Sequence, residues 1–95
     1  MRADDARKLI RELVALGAFS FTESANDGMS SHGILPREVF YLVAVGGCVA
    51  QENGTWLFEG MTDASDFAVR VVVAVESYGV MEVRFVSVHL LLERG

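Results

Sequence analysis

Residues 67–76 read FAVRVVVAVE and residues 80–88 read VMEVRFVSV, with residues 77–79 (SYG) between them. Both runs are rich in β-branched side chains, which favours two strands. Gly79 ends the short linking segment, and glycine readily adopts the left-handed backbone conformation that closes such a loop. This stretch therefore predicts an antiparallel hairpin, and it contains most of the strand signal in the chain.

A three-residue loop fixes which residues of the two strands lie opposite each other. The expected pairs are Glu76 with Val80, Ala74 with Glu82, Val72 with Arg84, and Arg70 with Val86. Because side chains alternate between the two faces of a sheet, one face should be apolar and buried. Its members are Val71, Val73, Val75, Met81, Val83 and Phe85. The other face should carry Arg70, Glu76, Glu82 and Arg84, and we look for a functional site there.

The first third of the chain predicts two helices separated by a short extended segment. Apolar residues recur at helical spacing after Asp4, which can act as the cap, and Gly17 supplies a stop. Phenylalanines alternate with small residues over residues 18–22, which suggests a short strand or link. Ser24 then offers the start of a second, short helix.

The middle of the chain predicts a third helix and a second hairpin. Pro36 at a first helical position and the paired glycines at residues 46–47 favour a helix over a buried strand. Because this helix would be apolar nearly all round, we expect it to be the most buried one. Asn53 and Gly54 separate two further strand-like runs and predict a tight turn with positive φ at both residues.

This order predicts a single α+β domain over residues 1–95, with N-terminal helices packed on one face of a C-terminal antiparallel sheet of about four strands. Hydrophobic residues make up 52% of the chain, but no apolar stretch approaches the ~20 residues that span a bilayer, so no membrane partner is expected. The lone Cys48 and the absence of an apolar leader fit a reducing cytoplasm. One cysteine and two distant histidines make no metal site, and we expect no cofactor.

Several segments occur in an order that is typical of one family. They are residues 21–25 (FTESA), residues 29–34 (MSSHGI), the Pro-Arg-Glu-Val run from Pro36, the Gly-Thr-Trp run at residues 54–56, and the valine-rich hairpin. In this order they resemble the small RelE-like proteins of the MqsR and related branches. Ser24 and His32 stand where those relatives tend to carry His and Arg, and the lysines expected on the strands of a ribonuclease toxin are missing.

The resemblance implies a compact RelE-like fold. For the best-known members it also implies the toxin of a toxin–antitoxin pair, which cleaves mRNA without a metal and is neutralised by a cognate antitoxin. Such cleavage needs a base, an acid and cations that stabilise the phosphate. The candidates are Glu76 or Glu82 as base, Tyr78 or His89 as acid, Arg70 and Arg84 as phosphate ligands, and Trp56 as a stacking platform for an RNA base.

The predicted register places Arg70 and Arg84 one diagonal step apart on adjacent strands, so one phosphate should contact both. The same charged residues also fit cross-strand ion pairs on a solvated face, worth about 0.2–1 kcal/mol each. His89 falls on the core side with Ser87 and is expected to be partly buried. Trp56 precedes Leu57 and Phe58 and fits a core or interface position equally well.

Charge opposes RNA as a ligand, because 8 basic residues stand against 13 acidic ones and the net charge is -5. The alternative is therefore a catalytically inactive RelE-like domain that forms a homodimer or binds a protein partner. A ribonuclease should gather its basic residues in one patch. A binding domain should scatter them and leave an apolar edge uncovered.

Overall fold

The computed structural model describes residues 2–62 and 68–91, with the side chain of Tyr78 excepted. In these ranges the elements are α1 (Ala3–Ala15), β1 (Phe19–Phe21), α2 (Glu23–His32), α3 (Pro36–Val45), β2 (Gly47–Ala50), β3 (Trp56–Gly60), β4 (Ala68–Tyr78) and β5 (Val80–Leu91). The strands form one sheet in the order β1-β5-β4-β3-β2. The pairs β2–β3, β3–β4 and β4–β5 are antiparallel, whereas β1 runs parallel to β5. The predicted α+β class is confirmed, with β1 as a fifth strand.

The three helices pack on one face of the sheet, and the core lies between them. Every second residue of the long hairpin points into this layer, so Val71, Val73, Val83 and Phe85 are fully buried, as the alternation predicts. Aromatic rings fill the end of the core beside β1. The ring of Phe85 stacks on that of Phe21 with centroids 4.6 Å apart.

Helix α1 ends at the predicted glycine, where Gly17 has a φ of 78°. Its N-cap position is Arg2, and Asp4 lies inside the first turn, where a carboxylate favours the positive end of the helix dipole. Arg11 donates from Nε to the carbonyl of Val43 at 2.9 Å and so ties α1 to the last turn of α3. The capping role predicted for Asp4 is therefore wrong.

Helix α3 begins at Pro36 and ends before Gly46, as predicted. The expectation that it is the most buried helix is confirmed, because it has four buried residues against three in α1 and two in α2, although Tyr41 and Val45 are exposed. The buried face consists of Glu38, Val39, Leu42 and Val43. An apolar composition on both faces of the helix therefore leaves apolar side chains in solvent.

Helix α2 starts one residue before the predicted Ser24. Its cap is Thr22, whose hydroxyl accepts from Ala25 N at 3.1 Å and donates to the carbonyl of Val86 at 2.6 Å. Thr22 thus fixes the first turn of α2 onto β5. Farther along α2, a Cβ on Gly28 would lie only 2.0 Å from the carbonyl oxygen of Val88. The helix and the strand can approach this closely only because residue 28 is glycine.

The second hairpin forms as predicted, but its turn differs. Ala50 pairs with Trp56, so residues 51–55 make the connection instead of two residues alone. Gly54 has a positive φ of 81°, whereas no non-glycine residue in the described ranges does, Asn53 included. The side-chain oxygen of Asn53 instead accepts from the backbone N of Thr55 at 3.2 Å. A side chain that organises a longer loop replaces the tight turn.

The register of β4 and β5 differs from the predicted one. Tyr78 pairs with Val80 around Gly79, whose φ is 87°. The centre of the turn is therefore Gly79, one residue later in the chain than the predicted centre at residue 78. A shift by two in the pairing keeps every side chain on its expected face. A bulge then follows, because Val73 pairs with Phe85 while Val72 pairs with Ser87. The strand β5 therefore contains one extra residue, and the faces of its last third are exchanged.

Candidate functional site

The sheet face opposite the helices has no covering element among the described residues, and we call it the open face. Its side chains form rows that run across the strands. The apolar row consists of Val49, Leu57 and Val72, which pair in turn across β2, β3 and β4. Val49 is 57% exposed, and Leu57 and Val72 are half-buried by their neighbours. This row was not predicted from the sequence, because it depends on the β2–β3 and β3–β4 registers together.

A charged row lies on each side of the apolar row. In the first, Arg70 donates from Nε to Glu59 Oε2 at 3.0 Å. In the second, Arg84 donates from Nη1 to Glu76 Oε1 at 3.2 Å. Three of these side chains are more than 40% exposed and that of Glu76 is 21% exposed, so water screens both pairs and each contributes only about 0.2–1 kcal/mol to stability. Both arginines on the open face are therefore held by a carboxylate of the same sheet.

The predicted single phosphate site for Arg70 and Arg84 is not formed. Arg84 pairs with Ala74, which lies four residues beyond Arg70 on β4, or roughly 13 Å at the rise of a strand. The two guanidinium groups also turn away from each other. Arg70 reaches sideways to β3, and Arg84 reaches toward the hairpin tip, where its partner Glu76 lies. The predicted diagonal contact is wrong because the hairpin turns later and β5 contains a bulge.

Glu76 and Glu82 both lie on the open face, as predicted, but they pair directly with each other across the hairpin and not with Val80 and Ala74. Glu82 Oε1 accepts from the hydroxyl of Ser20 at 3.4 Å, and within the described ranges it forms no ion pair. Of these two carboxylates, only that of Glu76 has an ion-pair partner within the described ranges, which is Arg84. The tip of the open face has a local charge excess of one negative charge.

His89 lies on the open face and not on the core side. The bulge opposite Val72 exchanges the faces of β5, so that Val88 is buried while His89 is exposed and pairs with Arg70. The expectation of a partly buried histidine is wrong for this reason. His89 lies at the opposite end of the hairpin from Glu76 and Glu82, and so the structure does not bring this candidate acid to either candidate base.

Trp56 pairs with Val73 and packs against the core, on the opposite face from the arginines. It is half-buried, so the core interpretation holds and the indole is remote from the charged rows. The side chain of Tyr78 lies outside what the structure describes, and its role as an acid stays a prediction.

Two further groups carry chemistry away from the open face. Glu38 is 6% exposed and accepts from the backbone N of Leu35 at 2.8 Å and from Thr62 Oγ1 at 2.7 Å. This carboxylate is fully engaged in capping α3 and in holding the segment that follows β3.

The second group is the thiol of Cys48. Burial raises the pKa of this thiol, while Arg7 lowers the pKa by a smaller amount and Asp4 raises it by a smaller amount. Cys48 is therefore a poor nucleophile.

The basic residues of the described ranges are divided between α1, α3 and the sheet. Four of them, Arg2, Arg7, Lys8 and Arg11, lie in or next to α1, Arg37 lies on α3, and Arg70 and Arg84 lie on separate strands of the sheet. In residues 2–62 and 68–91 no group of three or more His, Cys, Asp or Glu side chains is arranged to hold a metal ion. None of the helices described here has the length and apolar character needed to cross a bilayer.

The open face can therefore cover an apolar ligand surface and exchange ion pairs at its borders. Among the described side chains, it does not bring His89, a candidate base and two unpaired arginines to one point. Comparison with family models, with curated proteins and with solved structures finds no match to this chain. The RelE-like resemblance stays a prediction.

Proposed function

We propose that this chain is a cytoplasmic protein-association domain without catalytic activity, and that its open face binds a partner protein. The observation that carries the proposal is the apolar row of Val49, Leu57 and Val72 between two rows whose arginines are already paired. An apolar centre with a polar rim is the usual anatomy of a protein interface.

The gain from covering this row is considerable. Full burial of a valine or leucine side chain contributes about 1.5–3 kcal/mol, and because Leu57 and Val72 are already partly buried, covering the row offers on the order of 1–3 kcal/mol to a partner. Val49 offers the most because more than half of it is exposed. The ion pairs at the borders can be rearranged at little expense, since each contributes less than about 1 kcal/mol.

The predicted alternative, a metal-independent mRNA endoribonuclease neutralised by an antitoxin, draws less support from this geometry. RNA binding requires cations that are free to contact phosphate. Arg70 and Arg84 are paired and turned apart, and the net charge of the chain is -5. We expect that the purified protein leaves a mixed-sequence single-stranded RNA intact. We also expect that any growth defect on overexpression persists in the Arg70→Ala, Arg84→Ala double variant.

Site-specific photo-crosslinking in the host of origin tests the association directly. A benzophenone amino acid is introduced at Leu57 in the open face, and in a matched control at Arg37 on the exposed side of α3. We expect a discrete protein adduct from position 57 and none from position 37. Equal labelling at both positions, or no adduct from position 57, would contradict the proposal, as would RNA cleavage that is lost in the double arginine variant.

A further inference from the structure

The β4–β5 hairpin extends beyond the rest of the sheet and forms an arm. The molecule measures 43 × 24 × 23 Å, and a strand of the length of β5 spans roughly 40 Å, so the hairpin defines the long axis. Pairing with β3 ends at Val73, and pairing with β1 begins at Val83. The part of the hairpin between these positions is therefore flanked by no other strand among the described residues.

The edge of β4 along residues 74–77 is left without a backbone partner on the side of β3. No backbone hydrogen bond outside the β4–β5 ladder involves these residues within the described ranges. An unpaired strand edge with free N–H and C=O groups is a template for another strand. Proteins usually shorten or cover such edges, whereas this one projects into solvent.

The two faces of the arm differ in chemistry. The face continuous with the core carries Val75 and Met81, the latter 42% exposed. The face continuous with the open face carries Glu76, which is paired with Arg84, and Glu82, which forms no ion pair within the described ranges. A strand added beside β4 alternates its side chains between these two faces. Its residues on one face would meet apolar groups, and those on the other face would meet an excess of carboxylate.

We infer that an extended segment of the partner, in which basic and apolar residues alternate, binds as an added strand along residues 74–77 of β4. The inference rests on the proposed function and names the segment by which the partner is held. Backbone hydrogen bonds supply part of the affinity, and the alternation selects the segment. A Lys or Arg beside Glu76 neutralises the local charge excess at the arm.

A second copy of this chain fits the same edge less well. Pairing two β4 edges about a two-fold axis would bring the two acidic tips together, Glu76 of one copy near Glu76 of the other. Like charges opposite each other destabilise a strand pair, and each copy has a net charge of -5. Charge complementarity therefore favours a basic segment over self-association.

NMR titration of the isotope-labelled protein tests the inference. The probe is a short peptide that alternates valine and arginine, and the matched controls are a valine–glutamate peptide and a peptide of the same valine–arginine composition in two blocks. We expect the alternating basic peptide to shift the amide signals of residues 74–77 and the two controls to leave them unchanged. Glu76→Gln should weaken this binding roughly two- to fivefold, as for an exposed ion pair, whereas Glu12→Gln on α1 should not change it.

Several outcomes would overturn the inference. Shifts confined to β2 or to the apolar row would place the partner segment elsewhere and leave the proposed function standing. The same holds if no peptide binds while position 57 still yields a crosslinked adduct. Concentration-dependent shifts at residues 74–77 without peptide would assign the edge to a second copy. If position 57 yields no adduct, the proposed function itself fails, whatever the peptides do.

Discussion

Replacement of Gly28 by alanine tests how closely α2 approaches β5, because two effects of opposite sign compete. In the interior of a helix, glycine is about 1 kcal/mol less favourable than alanine, so the change would stabilise the protein if the site had room. A Cβ at this position would lie 2.0 Å from the carbonyl oxygen of Val88, which is a backbone atom and cannot rotate away. Overpacking commonly costs about 1–3 kcal/mol, and a contact this short belongs at or above the upper end.

We therefore expect Gly28→Ala to destabilise the protein by about 2 kcal/mol or more. For a domain of this size the melting temperature should fall by roughly 8–16 °C. The assay is urea unfolding followed by circular dichroism, together with a thermal melt. The matched control is Gly47→Ala, where a Cβ meets nothing within 4 Å and φ is not positive, so stability should change by less than about 1 kcal/mol. A Gly28→Ala protein that is as stable as the parent, or more so, would refute the close approach.

Three other predictions concern single side chains. Thr22→Val should lower the free energy of unfolding by about 1–2 kcal/mol, because the Thr22 hydroxyl caps α2 and also binds β5. Thr22→Ser keeps a hydroxyl and should lose much less stability. Equal losses for the two variants in urea unfolding would argue against the cap. Thr62→Val should cost about 1–3 kcal/mol because it leaves the buried carboxylate of Glu38 without one donor, and a neutral effect would mean that this bond is dispensable. The raised pKa of Cys48 means that the folded state retains the thiol proton to higher pH than the unfolded state, so the contribution of this thiol to stability is complete below the unfolded pKa and is lost as pH rises through the folded pKa. Iodoacetamide should therefore react more slowly with folded than with urea-unfolded protein near pH 8. Equal rates would contradict the burial of the thiol.

Periodicity in the sequence predicts the fold class, the three helices and the two hairpins. These features depend on local patterns: alternation in residues 71–75, helical spacing in α1, and glycine at positions 17 and 79. The sequence also predicts the buried face of the long hairpin as far as the bulge, because a register shift by two leaves each side chain there on its expected face. The parallel pairing of β1 with β5 joins residues about 64 positions apart, and no local pattern indicates it.

The details that decide the site are set by tertiary contacts. The bulge at Val86 lies where the Thr22 hydroxyl donates to the Val86 carbonyl, and it turns His89 from the core to the open face. Glu59 lies on β3, outside the long hairpin, and its carboxylate binds Arg70. The balance of charge in the first charged row therefore depends on the β3–β4 register. Patterns within one hairpin cannot indicate either feature. The sequence therefore predicted which residues share a face before the bulge, but neither the face of His89 nor which residues pair.

The separation of Arg70 from Arg84 and the pairing of Glu76 with Glu82 at the arm both depend on the register of β4 against β5, and cross-strand contacts in an NMR spectrum measure it directly. We predict nuclear Overhauser contacts between Arg70 and His89 and between Ala74 and Arg84. Contacts of Arg70 with Val86 and of Ala74 with Glu82 would instead indicate a regular hairpin with a three-residue loop. That result would bring the two arginines together again and would contradict the open face described above.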